Sequence, residues 1–169
     1  MFLFCLTAGA GLFVSVARSQ GWHSFEVVRQ ANALSAAARY EDALGVLVAE
    51  NRALPNQKDI VNTIKITFVS YCKHEISESE RALAKNRANA AAYDRAARAY
   101  GYLGDNFRAM AVLTAGVMEN PGAIPLWVDI AVLEAKAGRQ AEAQSVRNEV
   151  LRLKKELAAS RGSLNLPGN

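Results

Sequence analysis

Two patterns of hydrophobic residues divide the chain. Phe2 to Ala17 (FLFCLTAGAGLFVSVA) carries no charge, and Arg18 is the first ionisable side chain. The run has no polar face, so it suits a membrane or a secretory signal better than the surface of a domain. At helical rise it spans roughly 24 Å, a little short of a ~30 Å hydrocarbon core. From residue 22 onward, apolar and small residues are interleaved with charged ones in segments that predict helices, with Gly and Pro between them. A tail from Ser160 to Asn169, holding Gly162, Pro167 and Gly168, is expected to be loose.

Two readings of the apolar run remain open. Ser15-Val16-Ala17 places small residues where a signal peptidase reads, although no Lys or Arg precedes the run. As an uncleaved anchor it would be extended by Met1 and Trp22, with Arg18 snorkelling to the headgroups. Arg18 and Arg29 follow the run and favour a cytoplasmic body, whereas the signal-like end favours export. The expectation is a bacterial inner-membrane association with the body in the periplasm, the alternatives being a cytoplasm-facing body or a secreted one.

The remaining sequence repeats itself. Tyr93 pairs with Trp127, Ala97 with Ala131, Gly104 with Gly138 and Ala109 with Ala143, each at a spacing of 34. The glycines can take φ > 0 at the end of a helix and reverse the chain. Alanines at those positions let antiparallel helices approach closely, and the aromatic residues fill the larger space between units. Pro121 stops one helix after Asn120, and Pro125 sits at the start of the next, where a missing N–H is tolerated. Upstream, Ala31, Ala43 and Pro55 precede Ala97, Ala109 and Pro121 by 66, and Ala38 stands where the turn glycine would be.

This pattern resembles the tetratricopeptide repeat (TPR), a helix–turn–helix unit of the same period. Tyr93, Ala97, Tyr100, Gly104, Ala109 and Pro121 fill all the family positions in one unit. Trp127, Ala131, Gly138 and Ala143 fill most of the next, with Glu134 where a bulky residue is usual and Arg147 where an apolar one is. The resemblance implies an all-α, right-handed α-solenoid of antiparallel helix pairs, preceded by one apolar N-terminal helix. The expected boundaries are an anchor or signal over 1–21, a repeat domain over 22–157 and a flexible tail over 158–169. The units are about 22–55, 56–89, 90–123 and 124–157, the second being a degenerate pair made of DIVNTIKITFVSYC and SESERALAKN.

Composition narrows the function. The chain has 169 residues, a mass of 18.3 kDa and a net charge of +4, and its 51% hydrophobic content excludes global disorder. Its 31 alanines suit close-packed helices. Cys5 and Cys72 cannot form a disulfide framework, and Cys72-Lys73-His74 lacks the second ligand pair that zinc needs, so a buried thiol beside a turn histidine is expected there. Neither a nucleophile motif nor a phosphate-binding loop occurs. Glu75, Glu78 and Glu80 read as a solvated helix face. The basic C-terminal helix lacks the interleaved aromatics of a nucleic-acid site. No enzyme activity, cofactor, metal or nucleic-acid partner is implied.

The repeat register places Phe25, Val28, Asn32, Asn62, Ile66, Asp94, Arg98, Tyr102, Val128, Val132 and Lys136 on the concave face of the first helices. Some family members clamp a terminal carboxylate through Lys and Asn, where this chain has Asp94 and Arg98. The expected role is a non-enzymatic protein-interaction scaffold, membrane-anchored through residues 2–17 or exported, in a larger complex. The alternative is a structural subunit permanently embedded in a membrane complex.

Overall fold

The computed structural model describes the backbone of residues 7–164 and the side chains of residues 22–160. Seven helices and no strand occur among them: α1 Thr7–Ala36, α2 Tyr40–Ala53, α3 Lys58–Lys85, α4 Ala90–Tyr102, α5 Asn106–Glu119, α6 Ile124–Lys136 and α7 Gln140–Leu164. They form two compact units, residues 1–71 and 72–169. The first half of α3 belongs to one unit and its second half to the other.

One turn recurs three times. Ala38, Gly104 and Gly138 have φ of 57°, 81° and 79°. In each case the next N–H reaches back five residues: Arg39 to the Leu34 carbonyl at 2.9 Å, Asp105 to Tyr100 at 2.9 Å, Arg139 to Glu134 at 3.0 Å. This left-handed closure satisfies carbonyls that a helix end leaves unpaired. Ala38 adopts it despite its Cβ, at a cost of about 1 kcal/mol relative to glycine.

In the first unit α1 packs against α2, and the core is Val27, Ala31, Ala43, Leu47 and Ile60. Ala31 and Ala43, which the 66-residue offset singled out, are fully buried. The Ser24 hydroxyl donates to the Gln57 side-chain carbonyl, and His23 Nε2 stands 3.2 Å from the buried Glu50 carboxylate.

In the second unit α4 pairs with α5 and α6 with α7, while α6 also packs on α5 and α4. The core is Tyr93, Ala97, Leu113, Val117, Leu126 and Ile130. Ala97, Ala109, Ala131 and Ala143 are all buried, as close helix approach requires. Asn89 and Asp105 cap α4 and α5 by accepting from the Ala92 and Arg108 N–H groups. Pro125 lies in the first turn of α6. The Trp127 indole donates to the Pro121 carbonyl at 2.9 Å, which fastens the α5–α6 connection. Glu134, at the unusual family position, pairs with Arg139 just beyond the turn.

Three boundaries differ from expectation. The stretch expected to make two helices over 56–89 is the single helix α3, because no Gly or Pro interrupts residues 58–85. From Thr7 the apolar run continues into the first repeat helix as one element, since Gly21 alone does not break it; Phe2 to Leu6 lie outside the described residues. The final helix reaches Leu164 rather than ending near 157, carried by the helix-compatible run Leu157-Ala158-Ala159, and residues 165–169 of the expected tail lie outside the described residues. Among the described residues no helix is long and apolar enough to cross a membrane.

Among the described glycines the closest packing is at Gly116, which is buried on α5. A Cβ there would stand 2.8 Å from Tyr93 Cγ and 2.9 Å from Leu126 Cδ1. Gly116→Ala should destabilise the protein by about 1–3 kcal/mol with helix content retained, as measured by urea unfolding followed by circular dichroism.

Candidate functional site

Close approach of α4 and α6 leaves a groove of about 280 Å³, lined by Ala97, Arg98, Gly101 and Tyr102 of α4, Asn106 and Leu113 of α5, and Asp129, Val132, Leu133 and Lys136 of α6. Its apolar wall is Val132 and Leu133, with the fully buried Leu113 from α5. Tyr102 stands at the edge, 66% exposed. Gly101 adds a bare stretch of helix surface, where a Cβ would meet nothing within 4 Å.

A carboxylate pair dominates the electrostatics. Asp94 and Asp129, on α4 and α6, have side chains 22% and 28% exposed, and both face the Arg98 guanidinium. Arg98 Nε is 2.9 Å from Asp94 Oδ1 and 3.7 Å from Asp129 Oδ2. Both oxygens are shielded from solvent, and the Asp129 carboxyl is hydrogen-bonded to Asp94 and to Arg98. Burial, reinforced by the adjacent Asp94 carboxyl and only partly offset by Arg98, pushes Asp129 up to about 6 from its usual 3.8. The other cation, Lys136, follows Asp129 by two helical turns, about 10 Å along α6.

The predicted concave-face residues separate into two groups. Arg98, Tyr102, Val132 and Lys136 line the groove, and Asp94 joins it through Arg98. Val128 is exposed on α6 but does not line it. Phe25, Val28, Asn32, Asn62 and Ile66 belong to the first unit, where Phe25 and Ile66 are 61% and 67% exposed. There Phe25 makes an edge contact with Trp22, ring centroids 6.4 Å apart.

Asp129, Asn106, Gly101 and Leu133 are lining residues that sequence reasoning missed. Asp129 was within reach: it precedes Val132 by three and Lys136 by seven, and so shares their helix face. Asn106 was not, because it enters from another helix. Cys72 and His74 lie within α3 rather than at a turn. Burial and Glu75 push the Cys72 thiol up, away from the reactive thiolate. Among the described residues no three His, Cys, Asp or Glu side chains converge as metal ligands.

No family model matches the chain, and no curated protein does. Several solved structures are similar to it. MamA aligns over 85% of this chain and 77% of its own, at 16% identity and a TM-score of 0.49. MamA from Desulfovibrio magneticus RS-1 aligns over 77% and 75%, at 16% identity and a TM-score of 0.47. A thermophilic TPR protein from Thermus thermophilus, TTC0263, aligns over 77% and 74%, at 18% identity and a TM-score of 0.46. The chain's own helix pairs, with their shared turn and buried alanines, establish a TPR-like all-α fold.

The folded chain holds the Asp129 proton more tightly than the unfolded chain does. This group's contribution to stability is therefore present below about pH 4 and is lost as pH rises through about 6. Asp129→Asn should remove that slope and raise stability at pH 7 by about 1–2 kcal/mol relative to the parent. Thermal unfolding at a series of pH values between 4 and 7 checks both.

Proposed function

We propose that this chain is a non-enzymatic interaction scaffold whose α4–α6 face engages a partner protein as part of a larger assembly. The observation that carries this reading is the groove itself, where exposed Tyr102 and Val132 flank a partly buried charge cluster. Aromatic and arginine side chains at the centre of such a surface supply most of the energy of protein interfaces. The apolar segment over residues 2–17 supports membrane association, by an anchor or as an export signal, with the repeats on the periplasmic side of a bacterial inner membrane. A permanently embedded structural subunit is the second reading. It is favoured by Phe107 and Met118, which are 85% and 79% exposed on α5 and do not line the groove.

Affinity capture with the tagged full chain from native membranes, quantified by mass spectrometry, separates the two. A groove-dependent scaffold recovers its partner, and Tyr102→Ala combined with Val132→Ala reduces recovery by about tenfold or more while helical circular dichroism is unchanged. Recovery unaffected by the double variant but lost in Phe107→Ser/Met118→Ser supports the embedded subunit.

A further inference from the structure

The last helix is longer than the helix that covers it. α6 has 13 residues and α7 has 25, about 20 and 37 Å at helical rise. α7 packs antiparallel on α6 from the turn at Gly138, so α6 runs out at about residue 152 of α7 and leaves about 12 residues beyond it.

The apolar stripe that α6 covers does not stop there. Ala143, Val146, Val150, Leu153 and Leu157 follow one another at spacings of three and four, the a and d positions of a heptad repeat. Ser160 and Leu164 continue the spacing in the sequence. Ala143 and Val150 are buried and Val146 packs against the core, whereas Leu153 is half-buried and Leu157 is 45% exposed. One stripe is thus core at its first end and open at its second.

Charge flanks the stripe in the order that a second identical helix needs. The g positions are Glu142, Glu149 and Glu156, and the e positions are Arg147, Lys154 and Arg161. In a parallel pair each g residue faces the e residue of the partner's next heptad, so Glu149 meets Lys154 and Glu156 meets Arg161 on both sides of the seam. An antiparallel pair would set g against g and e against e, glutamate on glutamate and base on base. Arg152 ion-pairs with both Glu149 and Glu156 and holds them on their own flank. A β-branched residue at a with Leu at d, as in Val150 and Leu153, favours two strands.

We propose that the part of α7 beyond α6 pairs in parallel with the same segment of a second copy of this chain, as a short two-stranded coiled coil. Leu153 and Leu157 each meet their counterpart across the seam, and the two helices diverge where each α6 takes over the stripe. No residue of α7 lines the α4–α6 groove, so this pairing and the groove reading stand or fall separately.

Disulfide cross-linking of the full chain in dodecylmaltoside micelles at pH 7.5, with copper–phenanthroline as oxidant, tests the pairing. Every variant carries Cys5→Ser, and the buried Cys72 is kept. Leu157→Cys puts the two thiols in one layer of the seam, whereas Lys155→Cys, at an f position, puts them on opposite outer faces. The first is expected to form covalent dimer at least about tenfold faster than the second, because pairing raises the local thiol concentration only there. Leu153→Glu should abolish that difference with helical circular dichroism unchanged. Glu149→Lys should slow cross-linking at Leu157→Cys, and adding Lys154→Glu should restore it, since the exchange recreates opposite charges in a parallel pair alone. Equal rates for the two cysteine variants, or a difference that survives Leu153→Glu, overturns the proposal. A rate that Glu149→Lys leaves unchanged, or that the exchange does not restore, overturns the parallel arrangement.

Discussion

Helix α5 can lie close to its neighbours because one of its residues has no side chain. Gly116 faces the Tyr93 ring from α4 and the Leu126 side chain from α6 at distances that a methyl group could not tolerate. The Tyr93 ring occupies the space that Gly116 leaves, and Leu126, Ile130, Leu113 and Val117 close around it. A contact of this kind sets helix separation more firmly than spread hydrophobic burial does, because interiors packed at crystal density transmit small displacements instead of absorbing them. The spacing of α4 and α6 follows from it. That spacing places Arg98 within reach of both Asp94 and Asp129 and leaves the groove beside them.

The groove combines opposing costs. Burying two carboxylates beside one guanidinium is unfavourable, and the raised Asp129 expresses that cost. Elsewhere in the same unit α4 and α5 are capped by Asn89 and Asp105, the Trp127 indole has its carbonyl, and Glu134 has Arg139. A raised carboxyl beside an open groove is a reason to look for binding there.

Much of the fold was legible because the repeat has a physical cause at each position. Ala97, Ala109, Ala131 and Ala143 mark helix contacts, and Gly104 and Gly138 mark left-handed turns. Even Ala38 was readable as a turn residue from its offset of 66, although its side chain disfavours that conformation. Gly116 was not readable, since the residue 34 positions later is Val150 and spacing gives no signal. The continuous α3 was missed for the opposite reason: periodicity demanded a turn where the local sequence contains no residue to make one. Of the site, Arg98, Tyr102, Val132 and Lys136 followed from register, whereas the pairing of Arg98 with Asp129 depends on how far apart two helices lie, which no single helix encodes.

That dependence can be measured directly. Carbon-13 NMR titration of the Asp129 carboxyl in the full chain and in Tyr93→Leu reads whether interior packing sets the groove's electrostatics. The account predicts a midpoint of about 6 in the parent chain and a clear downward shift toward the ordinary carboxylate range once the ring that holds α4, α5 and α6 in place is removed. An unchanged midpoint in a folded Tyr93→Leu chain would contradict it.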